Sequence, residues 1–181
     1  MLAERVPEPK AVKREEALAM LAERYFTSHC PATIADFIWW SGLPVKDGKI
    51  VLELVKDKLF AEKIGGETYW LSNKLEMIKP GKSSAYLLPA FDEYIISYRD
   101  RSAAIEIESQ AKRFTKNGIF NPVVVINGKV TGIWKRTVIK DKVQVAASLF
   151  KPHSKTAKTL IEKAAKEYGR FLDKQSVVNY G

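Results

Sequence analysis

Apolar residues recur at intervals of three and four over residues 15–28: Ala17, Leu18, Leu21, Ala22, Tyr25 and Phe26. That period predicts a helix with one buried face. Residues 1–14 carry Pro7 and Pro9 among charges, without periodicity, and read as an extended lead-in. Pro31 and Thr33 restart the chain. Thr33 is a good N-cap for a second helix over residues 34–41, with Phe37, Ile38 and Trp40 inward and Gly42 as its stop. Pro44 suits the first turn of a third helix reaching about residue 58. Val51, Leu54 and Val55 are spaced to face inward there, with Lys46, Lys49, Glu53 and Lys56 on the opposite side.

The period then changes. Residues 59–64 and 67–71 are strand-like runs on either side of Gly65-Gly66, which predicts a hairpin. Three helices and a hairpin, in this order and at this size, predict a winged helix-turn-helix over residues 15–78. Residues 79–84, Lys-Pro-Gly-Lys-Ser-Ser, have the composition of a linker. In the remainder, 85–181, a short strand is expected at residues 85–88, followed by an aromatic stretch holding Phe91, Tyr94 and Tyr98. Asn127-Gly128 joins residues 123–126 to 129–139, and Lys140-Asp141 joins those to 142–149. Three antiparallel strands are predicted as a meander in a small barrel or curved sheet. Ser154 caps an amphipathic helix to about residue 174. Its buried face is expected at Ala157, Leu160, Ile161, Ala164, Ala165, Tyr168, Phe171 and Leu172. A strand at 176–180 closes the chain. The predicted fold is α+β: an N-terminal winged helix-turn-helix, then a small antiparallel β-meander or barrel-like domain closed by a C-terminal helix.

Charge adds a functional hint. Thirty Lys and Arg against 21 Asp and Glu give +9. Residues 1–84 hold 13 basic and 12 acidic side chains, whereas residues 85–181 hold 17 and 9. A basic half points to a polyanionic partner, nucleic acid before membrane, with solubility as the competing explanation. The apolar runs fall far short of the roughly 20 residues of a membrane span. A secretory pattern is absent, and one cysteine excludes an internal disulfide. Cys30 with His29 and His153 cannot make a structural zinc site, so no metal or cofactor and a cytoplasmic setting are expected.

The chemistry-bearing residues are few. His29 and Cys30 are adjacent at a helix end and do not face each other. Asp92, Glu93 and Asp100 could do acid–base work. The interleaved Arg99 and Arg101 favour structural ion pairing of Asp92, Arg99, Asp100 and Arg101 instead. At least three of the four tryptophans are expected in the core. Candidate DNA contacts are Lys46, Lys49 and Lys56 on the third helix, which such modules lay in the major groove, and Lys63 on the hairpin. Glu53 opposes them. Lys129, Lys135, Arg136, Lys140 and Lys142 lie along the predicted sheet, where Lys135 and Arg136 must point oppositely.

Three segments carry a resemblance: residues 25–43 (containing Pro-Ala-Thr-Ile-Ala-Asp-Phe-Ile-Trp-Trp-Ser-Gly-Leu), 87–102 (Leu-Leu-Pro-Ala-Phe-Asp-Glu-Tyr-Ile-Ile-Ser-Tyr-Arg-Asp-Arg-Ser) and 117–136 (Asn-Gly-Ile-Phe-Asn-Pro-Val-Val-Val-Ile-Asn-Gly-Lys-Val-Thr-Gly-Ile-Trp-Lys-Arg). In this order, from about residue 15 onward, they resemble the AlkZ-like winged-helix DNA glycosylases. The resemblance implies tandem winged helices followed by a barrel-like domain, and excision of alkylated bases or unhooking of crosslinks. The family's hydrolytic residues lie in a Gln-x-Gln or Gln-x-Asp motif. Here the glutamines are Gln110, Gln144 and Gln175, and none begins such a motif. The match is to the family's C-terminal half, so Met1 is expected to begin a truncated homologue, a cloned domain or a half-protein with a separate partner. The expected function is DNA binding, weak and phosphate-driven, within a glycosylase-like repair protein, without base-excision chemistry of its own. A winged-helix regulator that binds DNA or protein and docks through the barrel-like domain is the alternative. An enzyme centred on Asp92, Tyr98 and Arg99 is the third.

Overall fold

The apolar stripe of the first helix is buried as its spacing requires. In the computed structural model, α1 (Arg14–Ser28) turns Leu18, Ala22, Tyr25 and Phe26 inward. The structure describes residues 11–76, 81–106 and 120–181. Lead-in residues 1–10, linker residues 77–80, Gln110 and the 117–119 part of the third motif lie outside them. Two units are distinguished. One holds the described residues up to 76 together with Ser97–Arg99; the other holds residues 81–96 and the described residues from 100 onward.

In the first unit, α2 (Ile34–Ser41) begins at Thr33 with a reciprocal capping box and ends at Gly42. Thr33 Oγ1 accepts the Asp36 N–H at 3.1 Å, while Asp36 Oδ2 accepts the Thr33 N–H at 2.9 Å. α3 (Val45–Val55) follows Pro44 and tightens into a 3₁₀ turn at Lys56–Lys58. β1 (Leu59–Ile64) and β2 (Glu67–Ser72) pair antiparallel around Gly65-Gly66. Both glycines take positive φ, as do Asn127 and Gly128, which matches two-residue hairpin turns whose twist suits the strands. Ala32 and Trp70 exchange both backbone hydrogen bonds, at 3.2 and 2.8 Å, tying the start of α2 to the hairpin. Tyr25, Phe26, Phe37, Val51 and Val55 form the core, with Trp40, Trp70 and Tyr98 packed against it.

The second unit is a five-stranded sheet in the order β3 (Ala85–Leu88), β4 (Val123–Ile126), β5 (Lys129–Ile139), β6 (Lys142–Leu149), β7 (Gln175–Tyr180). A short helix, α4 (Glu93–Ile96), follows β3, and α5 (Lys155–Phe171) connects β6 to β7. The expected β4–β5–β6 meander is antiparallel, but β7 pairs parallel to β6, because the α5 crossover returns the chain in the same direction. Among the described residues no closed barrel forms: β3 and β7 are separate edges of an open sheet, which corrects the barrel-like expectation. Helix α5 covers one face instead, with Ala157, Ile161 and Ala165 against Val124, Trp134, Val145 and Ala147. Around β4 the other face is covered too: Ile95 and Ile105 pack with Val123, Val125 and Val130. A strand buried on both sides explains the unbroken Val-Val-Val-Ile run.

Besides the exposed Ala17 in the first turn of α1, two large residues differ from their helical periodicity. Leu54 is 45% exposed and Phe171 is 83% exposed. Both lie in the last turn of their helices, where the chain departs into the 3₁₀ turn and into β7 and leaves no opposing wall. Trp39 is the tryptophan outside the cores, at 55% exposure.

Candidate nucleic-acid interface

On α3 the exposed side is mixed. Lys46, Lys49 and Glu53 run along its middle, with Ile50 and Leu54 exposed on one flank. Lys56 forms an ion pair with Glu53, and that neighbouring carboxylate raises the pKa of its ammonium. Asp47 is buried at the start of the helix and takes the Arg14 guanidinium at 2.7 Å. Lys63 lies on β1 opposite Thr68, exposed on the hairpin. Glu23 on α1 holds Lys58 at 2.6 Å and Lys74 at 3.1 Å, bridging the two ends of the hairpin. Those hydrogen bonds lower its pKa, Lys58 more than Lys74.

The sheet separates its basic residues by face. A register shift between Val124 and Val125 leaves an extra residue in β5, so Val130 faces the Ile95 side while Trp134 faces α5. Beyond the bulge, alternation sends Arg136 to the α5 face, where its guanidinium donates to Tyr168 Oη. Lys135, opposite Ala146, points to the other face. There β5, β6 and β7 present Lys135, Thr137 and Ile139, then Lys142, Gln144, Ala146 and Ser148, then Gln175, Val177 and Asn179. This stretch is exposed throughout, and its strand positions include no carboxylate. The remaining candidates lie at the ends of β5. Lys129 Nζ donates to Ala103 O at 2.5 Å, and Lys140 occupies the β5–β6 turn, its carbonyl accepting from Lys174 at 2.7 Å. The structure thus places Lys135 and Lys142 on one open face and the other sheet cations elsewhere.

The charged stretch around α4 is tied largely to backbone. Asp92 Oδ1 accepts the Tyr94 N–H at 2.9 Å, capping α4. Asp100 accepts the N–H and hydroxyl of Ser102, both at 2.9 Å. Arg101 Nε donates to Ile95 O at 2.6 Å, and its guanidinium lies 5.8 Å from the Phe120 ring centre. Arg99 donates its backbone N–H to Asp36 Oδ1 at 2.8 Å. Asp36, 3% exposed, therefore serves Thr33 with one oxygen and Arg99 with the other. Ser97 O accepts from Tyr25 Oη at 3.1 Å, and Tyr98 Oη donates to His29 O at 2.9 Å. These bonds link the first shared motif to the Ser97–Arg99 part of the second. Sequence reasoning missed that role of Asp36, although its position three residues after Thr33 marks it as the capping-box partner. It also missed Lys166 and Arg170, which lie beside β7. Their four-residue spacing on α5 was visible, and so was a strand at 176–180, but not its placement beside them. Among the described residues, no group of three or more His, Cys, Asp or Glu could hold a metal ion. No described helix is long and apolar enough to cross a membrane.

Comparison with known proteins bears on the fold and the family. DNA glycosylase AlkZ of Streptomyces sahachiroi shares the fold at a TM-score of 0.80 and 20% sequence identity, over 96% of this chain and 48% of that one. The chain thus spans about half the length of that relative. No curated sequence matches. A family model, described as DNA glycosylase AlkZ-like, matches residues 1–171. With a match of that extent, the chain belongs to the AlkZ-like DNA glycosylase family.

Proposed function

We propose that this chain is a DNA-binding portion of a glycosylase-like repair protein, without base-excision chemistry of its own. Family membership is the observation that carries the reading. On it, the three helices and hairpin of the first unit act as a winged helix, and the basic second unit supplies most phosphate contacts. Lys135 and Lys142 on the open sheet face are best disposed for this, since no strand carboxylate accompanies them. Lys46, Lys49 and Lys63 are secondary contacts. Lys56, paired to Glu53, is the weakest of them. Asp92, Arg99, Asp100 and Arg101 are structural. The described carboxylates near the shared motifs are engaged in caps and backbone bonds, and the family's glutamine motif is missing, which supports inactivity of this chain alone. Duplex DNA carrying N-alkylated purines tests both parts. Binding without base release above background is expected. Base release that survives repurification overturns the inactivity, and absence of binding in dilute salt overturns the DNA reading.

A second reading is favoured by one observation. Val45, Ile50 and Leu54 on α3 and Trp39 on α2 are each 45% or more exposed. Apolar side chains on a helix assigned to a groove are better suited to a protein surface. On that reading the first unit docks to protein, and DNA affinity is unaffected by Lys46→Ala with Lys49→Ala.

A further inference from the structure

The sheet ends differently at its two edges. β3 has four residues and runs into Pro89, so it offers little backbone to a further strand. β7 has six, Gln-Ser-Val-Val-Asn-Tyr, with no proline and a β-favouring centre. Its N–H groups divide in two sets. Gln175 N–H donates to Asp141 O at 2.9 Å, and Gly181 N–H donates to Ala147 O at 3.1 Å. In a parallel ladder the residues that bond a given neighbour alternate. The odd-numbered residues therefore bond β6, and the backbone groups of Ser176, Val178 and Tyr180 point to the outer edge. Among the described residues, no strand pairs there.

A groove of about 490 Å³ runs along that edge, lined by Glu162, Lys166, Arg170 and Lys174 and by Gln175, Ser176 and Val178. The chain reverses after α5, so β7 runs back along the helix, and Tyr180 Oη donates to Lys158 O at 3.0 Å. Lys158, Glu162, Lys166 and Arg170 thus form a row at four-residue spacing on the flank of α5 beside β7. Lys158 sits over the Tyr180 ring, 4.9 Å from its centre, and Lys174 is held by Lys140 O. Lys166 and Arg170 have no ionic partner among the described residues and flank the open backbone edge.

We propose that the β7 edge takes an extended acidic peptide segment of a partner protein as an added strand. The outward N–H and C=O groups of Ser176 and Val178 pair with its backbone, and Lys166 and Arg170 pair with its carboxylates. The alternating donors and acceptors select a peptide over nucleic acid, whose phosphates could use only the donors. Charge selects against a second copy: pairing two β7 edges about a twofold axis would bring two cationic rows together. The proposal does not depend on DNA binding.

A labelled peptide alternating valine with glutamate, titrated into the full chain by fluorescence anisotropy, tests it. Two further peptides carry backbone N-methyl groups on one or the other set of alternate residues. Strand addition predicts that one phase of methylation weakens binding by about tenfold or more, through several lost hydrogen bonds, while the other phase leaves it unchanged. Lys166→Glu with Arg170→Glu weakens the unmethylated peptide by about tenfold and reduces its salt dependence. The Ser176 and Val178 amides gain protection from hydrogen exchange on binding. Equal affinity for both methylated phases, or no peptide affinity, overturns the proposal, and that arm uses the unaltered protein. Self-association that the peptide competes away makes a second copy the occupant and overturns it. Displacement of the peptide by duplex DNA, with DNA affinity lost in the double variant, also overturns it. Failure of DNA binding on its own bears only on the function proposed above.

Discussion

Asp36 shows how one buried side chain joins local and tertiary structure. As the capping-box partner of Thr33 it satisfies the start of α2, and through its other oxygen it accepts the Arg99 N–H from a segment 63 residues away. Removing it takes that acceptor from three donors: the Thr33 N–H and hydroxyl, in buried bonds, and the Arg99 N–H, in a partly buried one. Each such orphan costs about 1–3 kcal/mol. Asp36→Ala is therefore expected to lower stability by about 2–4 kcal/mol in urea denaturation. Thr33→Ala, which removes only the cap, is expected to cost about 1 kcal/mol. Equal losses would show that the Arg99 contact contributes nothing. Trp39 and Leu54 are the counterpart at this scale: large apolar residues that stay 55% and 45% exposed.

At the scale of elements, the approach of α5 to β7 depends on Gly169. A Cβ there would lie 2.7 Å from Lys174 O and 3.0 Å from Ser176 Cβ. Two effects oppose each other in Gly169→Ala. Helix propensity favours alanine by about 1 kcal/mol. Overpacking costs about 1–3 kcal/mol, and a backbone carbonyl yields less readily than a side-chain end. Net destabilisation is expected in thermal melts, whereas a stabilised variant would show that β7 backs away cheaply. The Glu23 bridge between α1 and the two ends of the hairpin gives a pH signature. Its carboxyl is held below the ordinary value of 4.5 by the Lys58 and Lys74 bonds. A depressed carboxylate stabilises the fold above its unfolded pKa and loses that contribution as pH falls through its folded pKa. The stability gap between wild type and Glu23→Gln is therefore expected at neutral pH and should close in acid, with added salt shrinking it as well. A gap that persists unchanged below the carboxylate range would assign the effect to packing.

For the whole molecule, the +9 charge sets the expected form of any DNA binding. Without a concentrated base-reading element, affinity should be sequence-tolerant, with dissociation constants of roughly 10⁻⁴–10⁻⁶ M at physiological salt. Each phosphate contact adds about 0.9 to the slope of log affinity against log salt on duplex DNA. Lys135→Ala should flatten that slope by about 0.9, since its side chain lies on the open face. Arg136→Ala should leave the slope alone and instead lower stability slightly, because its guanidinium serves Tyr168 on the helix-covered face. Anisotropy over a salt series separates the two, and the reverse pattern would move the DNA to the α5 side.

The sequence by itself determined what depends on near neighbours. The helical periods, the Thr33 cap, both glycine-containing hairpin turns and the continuous apolar run of β4 were all legible, because caps, turns and burial patterns act over a few residues. The motifs of residues 25–43 and 87–102 also carried the family. What only the tertiary structure decided rests on contacts far apart in the chain. The α5 crossover makes β7 parallel to β6 and leaves an open edge where a barrel was expected. A single bulge in β5 reverses which face each later side chain meets, and so places Lys135 and Lys142 on the open face and Arg136 on the α5 side beside Tyr168. Strand alternation is a local rule, but its phase is set by pairing with a distant strand. A list of lysines along the chain therefore could not show which of them share a surface.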